Sequence, residues 1–348
     1  MPRSPARAEV VGSLLRPDVV DDEAIARVVQ QQIDIGLDVV SDGELRRTMS
    51  MDSFWGAVEG WSPSDEPVEF RDDRGSTISW QAPQIEDRLA KVASPARDEV
   101  ALLSSVTAHP FKVTFPAASL FALPFTFEPG VNDHAYRDLA EIVAHVIEIE
   151  KALVAEAVDA GARYIQFDFP AYPYLVDPAW MRKIESVGWT KERVLELAVA
   201  SDNEVRADIP DDVTVAMHVC RGNNESRYLC EGPLDSVAEP MFQDLDYDAF
   251  LVEWDDRDRM GDFGALRYVR DGGPRIVMGI ISSKRAELEQ LDDVLARMDQ
   301  ASDHVSWEQL AVSTQCGFAS TETGNDLSED DQWRKLELVS RAAVKLWD

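Results

Sequence analysis

Short apolar runs alternate with longer stretches of helical spacing along most of the chain. Eight runs have the length and composition of buried strands: 9–15, 37–41, 111–117, 163–169, 213–220, 249–255, 275–282 and 310–316. Between them, apolar residues recur at helical spacing in 21–36, 132–161, 179–208, 234–245, 283–300 and 328–347. The first of these ends on Gly36, a suitable C-cap, and the second puts Leu139, Val143, Val146, Leu153 and Val154 on one face. Strand–helix alternation predicts parallel strands joined by crossovers, and eight such units predict an α/β fold of the (β/α)8 TIM barrel type. The reading is one catalytic domain over 1–348. Segment 49–108 is too long for one crossover and carries a hairpin signal around 71–80, so it is expected to be an insertion between strands 2 and 3. An open doubly wound sheet would be the other solution, but no Gly-rich dinucleotide fingerprint follows any strand.

Charge narrows the partners. The chain has 34 Lys plus Arg against 65 Asp plus Glu, a formal net charge of −31. Such a surface repels phosphate backbones and anionic lipid, so no nucleic acid and no membrane is expected. No run reaches the ~18 apolar residues of a membrane helix. The first residues, MPRSPARAEVVGSLLRP, lack the apolar centre of a signal peptide. Three cysteines make no disulfide framework, which fits a reducing, cytoplasmic location. Self-association is left open.

Two of those cysteines fall at strand ends. In VTVAMHVC, side-chain alternation puts His218 and Cys220 on one face, about 7 Å apart, at the C-terminal end where barrel active sites are built. Cys316 ends the last run and Glu253 ends FLVEW, so four donor groups converge on one rim. Two sulfurs, a nitrogen and an oxygen suit a tetrahedral zinc ion, Zn2+. The plainer alternatives are a His and Cys packed in the core, and a Glu253 paired with Arg257. Cys230, in the loop-like NNESRYLCEGP, is read as a bystander. Two thiolates and a carboxylate leave zinc at about −1, poor for activating water but suited to holding a substrate thiol for attack on an alkyl donor. Glu44 and Asp168 lie on the same rim and suit an ammonium group. Ser13, nearby N–H groups or Arg16 suit a carboxylate. Alternatively, Glu44 pairs with Arg46 or Arg47 and Asp168 caps the turn before Pro170.

The sequence resembles the C-terminal catalytic half of cobalamin-independent methionine synthase, and more closely its short single-barrel relatives. The resemblance rests on VVGSLLRP, GLDVVSDGELRR, YIQFDFPAY, HVCRGN, FLVEWDDRDRMGDF, VMGIISSK and STQCGFAST, in that order. It implies a (β/α)8 barrel with catalytic zinc on His218, Cys220, Glu253 and Cys316. It implies that Glu44 and Asp168 hold the homocysteine ammonium and that Ser13 touches the substrate carboxylate. The implied activity is zinc-dependent S-methyl transfer to homocysteine, giving methionine, from a methyl-folate or methyl-corrinoid.

Three departures bear on the donor. The length leaves no room for the N-terminal folate-binding barrel of the full-length synthase. Phe169 replaces a Glu after Asp168. The loop Gly279-Ile280-Ile281-Ser282-Ser283-Lys284 lacks the family's proton-donor His. HVCRGN, with Arg221, resembles the short group that includes epoxyalkane:coenzyme M transferase. The alternative is therefore a zinc-dependent thiol alkyltransferase of that type, with Arg16, Arg221 and Lys284 as candidate contacts to a sulfonate thiol or to the donor. A metal-free barrel resembling uroporphyrinogen decarboxylase, or a non-catalytic binding barrel, leaves the two rim cysteines without a role. Trp55, Trp61 and Trp80 are expected to pack the insertion onto the barrel rather than to line a donor pocket.

Overall fold

The computed structural model describes residues 6–347. After the helices Asp22–Asp34 and Asp52–Trp55, the chain builds two nested antiparallel ribbons. These are β1 (Val58–Pro63), β2 (Val68–Arg71), β3 (Thr77–Trp80) and β4 (Pro83–Lys91), with β1 paired to β4 and β2 to β3. Six parallel strands follow and form one sheet in chain order: β5 (Val113–Pro116), β6 (Tyr164–Asp168), β7 (Thr214–Val219), β8 (Ala249–Glu253), β9 (Arg275–Ile281) and β10 (Leu310–Thr314). Their register aligns the site end: Asp168 pairs with His218, and Glu253 with Gly279.

The strands are buried on both faces, as crossover helices require. Alternation sends Phe167, Met217, Phe250 and Met278 toward the helices, in the main core. On the other face Tyr164, Ala216, Leu251, Val277 and Ala311 form a second, smaller cluster. His218 has the parity of Ala216 and shares that inner face.

Two expected strands shrink to isolated bridges. Segments 9–15 and 37–41 contribute only parallel bridges: Ala8 to Val312, Glu9 to Val39, and Val40 to Phe111. The reason is local: beyond Glu9 the chain leaves the ladder, and Leu14 N–H instead donates to the Gly43 carbonyl (2.9 Å). The observed architecture is thus an α/β fold with a six-stranded parallel sheet, where sequence periodicity predicts eight full strands.

Helix boundaries shift for physical reasons too. The helix Leu139–Asp159 starts only after Asp138, whose side chain accepts from Glu141 N–H. Segment 179–208 splits into Pro178–Ser186 and Lys191–Arg206, separated by Gly188 at φ +80°. Segment 283–300 becomes helical only at Leu291, because 282–290 is the loop that carries Lys284 to the site. Within 49–108, the ribbons occupy Val58–Lys91 and Pro95–Val106 is a helix preceding β5. No described helix is long and apolar enough to cross a membrane.

Candidate metal centre

His218 sits near the end of β7 with its ring fixed from behind. Nδ1–H donates to the Leu251 carbonyl (3.1 Å), so Nε2 faces forward, buried and without a partner among the described residues. An imidazole held this way is oriented for a metal. Cys220 Sγ lies 3.6 Å from Cys316 Sγ and accepts from Gly222 N–H (3.2 Å). All three residues are buried, and their donor atoms lie within 4.8 Å of one another. Gly222 adopts φ +86° and its Cα faces Leu229 and Phe70 too closely for a Cβ, which lets the loop turn back over the sulfurs.

The electrostatics suit a cation. Pairing with Cys220, and then with His218, pulls the Cys316 thiol well below its ordinary value against the effect of burial. The same pairing, reinforced by burial, pushes the Cys220 thiol up. Burial disfavours charge on His218, but the Cys316 sulfur raises the imidazole overall. Two soft sulfurs and one neutral-capable nitrogen, converging with an orphaned Nε2, fit a borderline metal ion with an open fourth position.

Glu253 differs from expectation. It is fully buried, but its two oxygens are engaged elsewhere: Oε1 accepts from Lys284 Nζ (2.8 Å) and Oε2 from Arg221 N–H (2.7 Å). It lies outside the three-residue cluster. Its ion-pair partner is Lys284, not Arg257. Register explains this: Glu253 pairs with Gly279 on β9, and the loop after β9 brings Lys284 to the carboxylate.

The other expected cations also turn away from the pocket. Arg221 is buried and its Nη1 donates to the Gly232 carbonyl (2.5 Å). Arg16 donates to the carbonyls of Arg47 (2.7 Å) and Thr321 (2.8 Å), tying two rim loops together. Cys230 is buried and stands outside the cluster.

Ser13, Glu44 and Asp168 all line the pocket that the cluster opens into. Glu44 is held in the left-handed region, φ +53°, by a turn in which Asp42 Oδ1 accepts its N–H (2.9 Å). Its Oε1 accepts from the Thr114 hydroxyl (2.7 Å), while Oε2 is buried with no partner among the described residues. Arg47 is 3.8 Å from Glu44 but makes its close ion pair with Glu99 (2.6 Å). Burial raises the Glu44 carboxyl above its ordinary value. Burial likewise raises Asp168 to about 7; His218 opposes that rise, and Glu44 adds to it. Two such carboxyls on one wall are poised for a cationic ligand.

Sequence reasoning missed three contributors, Phe70, Asn223 and Gln166. Phe70 and Trp80, from the β2–β3 ribbon, line the pocket. Trp80 packs against Phe70 and the core as expected and also lines the pocket, whereas Trp55 and Trp61 meet at a tilt (5.4 Å between rings) and Trp55 also meets Phe121. Asn223 lines the pocket too, its Nδ2 donating to the Gly317 carbonyl (2.9 Å). The third contributor is the polar group behind Asp168, above all Gln166, whose Nε2 donates to Asp168 Oδ1 (2.8 Å). The strand motif YIQFD held the signal, since Gln166 and Asp168 share a face.

Comparison with known proteins places these features in context. Residues 17–329 match the family profile described as cobalamin-independent synthase, catalytic domain. The protein YxjG of Bacillus subtilis, described as uncharacterized, is 34% identical over 99% of this chain and 96% of its own length. A methionine synthase of Sulfurisphaera tokodaii is 22% identical over 91% of this chain and 81% of its own. Among solved structures, a putative vitamin-B12 independent methionine synthase from Listeria monocytogenes is 25% identical with TM-score 0.74, covering 99% of both chains. A B12-independent methionine synthase from Shewanella sp. W3-18-1, in complex with selenomethionine, superposes with TM-score 0.72 at 19% identity, over 98% of this chain and 97% of that one.

Proposed function

We propose, from the premise that the chain belongs to the family of cobalamin-independent synthase catalytic domains, that it is a zinc-dependent thiol methyltransferase acting on homocysteine. One observation carries this reading. Glu44 and Asp168, two carboxyls raised by burial, line the same pocket as the His218, Cys220 and Cys316 donors. A thiol reaching the cluster can then extend an ammonium group to the carboxylates.

His218 Nε2, Cys220 Sγ and Cys316 Sγ would hold the zinc, and Glu253 is the buried carboxylate kept beside them by Lys284 and Arg221. Zinc in such a site lowers the pKa of a thiol in its open position, so that the sulfur reacts as thiolate near neutral pH. The chain's own residues do the rest. The Leu251 carbonyl fixes the His218 ring. Glu44 and Asp168 bind and orient the ammonium. Ser13 and neighbouring N–H groups take the carboxylate. Phe70 and Trp80 cover the pocket and keep water from the reacting sulfur. In the transfer, an S–CH3 bond forms as the donor's bond to that methyl breaks, and the donor's leaving atom keeps the electron pair. Orientation accounts for much of the gain in such a two-substrate step.

A sulfonate thiol is the poorer fit. None of the three cations it would need lines the pocket: Arg16 donates to backbone carbonyls, Lys284 pairs with Glu253, and Arg221 is buried with Nη1 on the Gly232 carbonyl.

We read the fold of the described residues as a closed eight-stranded barrel forming one domain, with the added ribbons within 49–108. The three parallel bridges through Ala8, Glu9, Val39 and Val40, which lie between β10 and the start of β5, support this. Three free thiols support a reducing cytoplasm as the working place.

The test is zinc content together with the zinc X-ray absorption edge, recorded with and without homocysteine. One zinc per chain and one sulfur gained on adding homocysteine is the expected result. Zinc present with no sulfur gained would overturn the choice of thiol, and no zinc at all would overturn the mechanism.

A further inference from the structure

Behind Asp168, a line of buried polar side chains crosses the sheet's inner face. Glu9 accepts from Lys112 Nζ (2.8 Å), the Tyr164 hydroxyl (2.8 Å) and Arg275 Nη2 (2.9 Å). Lys112 Nζ also donates to Gln166 Oε1 (2.7 Å). Gln166 Nε2 donates to the Val11 carbonyl (2.8 Å) and to Asp168 Oδ1 (2.8 Å). Glu9, Lys112 and Gln166 are at most 1% exposed. Burial pushes the Glu9 carboxyl up, but Lys112 and then Arg275 outweigh it, so Glu9 sits below its ordinary value and is charged.

Donor and acceptor types leave this line one arrangement. An ammonium only donates and a peptide carbonyl only accepts. Lys112 therefore requires the oxygen of the Gln166 amide, and Val11 requires its nitrogen. The amide is fixed from both ends, and its remaining N–H always faces Asp168. A fixed donor favours a charged carboxylate over a protonated one. It also settles which oxygen is left for a ligand: Asp168 Oδ2 takes no hydrogen bond among the described residues.

We propose that Lys112 and Gln166 are positioning residues of the ammonium subsite: they hold Asp168 Oδ1 on a locked N–H donor and leave Oδ2 for the substrate. This role presupposes that Asp168 receives an ammonium, as in the function proposed for the site. Neither residue touches substrate. Lys112 acts on Gln166, and Gln166 acts on Asp168.

The experiment compares two thiols by calorimetric titration into the zinc-loaded protein: homocysteine, and 4-mercaptobutanoate, which is homocysteine without its amino group. A merely structural role would weaken both alike, whereas a positioning role changes their ratio. Gln166→Glu keeps the shape and the Lys112 contact but turns a carboxylate oxygen toward Asp168. It is expected to lower the preference for homocysteine by about tenfold or more, the scale of one charge-assisted hydrogen bond, with zinc content and 4-mercaptobutanoate affinity unchanged. Gln166→Met removes the donor without adding charge and should lower the preference less. Lys112→Arg, which still donates, should retain it. Asp168→Asn serves as the reference. If Asp168→Asn loses the preference while both Gln166 variants keep it, the positioning role is overturned. If Asp168→Asn itself keeps the preference, the ammonium subsite is wrong and the positioning role falls with it.

Discussion

Gly12→Ala is a small change aimed at a large effect. A Cβ at Gly12 would stand 2.5 Å from Glu44 Oε1 and 3.4 Å from both Glu44 Cδ and Thr114 Cγ2. The 2.5 Å approach is well inside van der Waals contact, so the carboxylate must move. Gly12 is not among the residues at positive φ, so alanine is allowed by the backbone there. The atom displaced is the end of a side chain, and the fold can absorb its movement. The site cannot, because Oε1 is where the Thr114 hydroxyl donates to Glu44 (2.7 Å). Losing a hydrogen bond to a charged group costs about 1.5–3 kcal/mol. If that loss falls on the bound state, homocysteine should bind roughly ten- to a hundredfold more weakly. Stability should fall by no more than about 1–3 kcal/mol, the range for overpacking. Titration calorimetry with homocysteine and with 4-mercaptobutanoate, alongside urea unfolding, separates the two effects. Unchanged homocysteine affinity in a folded Gly12→Ala protein would refute the role given to Glu44. Equal weakening of both thiols would refute its specificity for the ammonium.

Three further outcomes can be checked. Cys316→Ser should lose zinc and thiol binding together, measured by metal analysis after dialysis against a mild chelator, because it removes one of three converging donors; full retention of zinc would contradict the cluster. Lys284→Met leaves Glu253, a fully buried carboxylate, with only the Arg221 N–H, and should cost about 3–5 kcal/mol in urea unfolding; a loss below ~1 kcal/mol would mean that water or another cation replaces the ammonium. Glu150 is fully buried with neither oxygen partnered among the described residues, and burial, then Asp202, raises it well above its ordinary value. A carboxyl raised by folding binds more protons in the native state, so its contribution is present at low pH and is lost as pH climbs above the unfolded value of 4.5 toward the folded one. Glu150→Gln should therefore flatten the decline in urea midpoint as pH rises above 4.5, and a variant that declines as steeply as wild type would show that Glu150 is not its source.

What the sequence determined by itself was local parity. In a strand the side chains alternate, so His218 had to share a face with Ala216, and Gln166 with Asp168, wherever the sheet went. Apolar runs bounded by helical patterns likewise located the six strands of the sheet, and with their ends His218, Cys220, Cys316 and Asp168, which line one pocket. Partnerships across the chain were decided only by tertiary structure. Sequence alone could not say that Lys284 would reach Glu253, because that depends on β9 lying beside β8 and on the loop that follows it. Nor could it say that Arg16 and Arg221 would turn to backbone carbonyls, since an arginine side chain is long enough to satisfy several environments. The same holds for the tryptophans. Trp55 and Trp61 pack together, while Trp80 faces the pocket, because β2 and β3 fold back over the rim, where Arg71 and Tyr228 exchange backbone hydrogen bonds of 2.9 Å. Nor could periodicity show that, where the strand stops at Glu9, Gly12 would lie directly against the Glu44 carboxylate. Periodicity reads which way a residue faces, and only packing selects what it meets there.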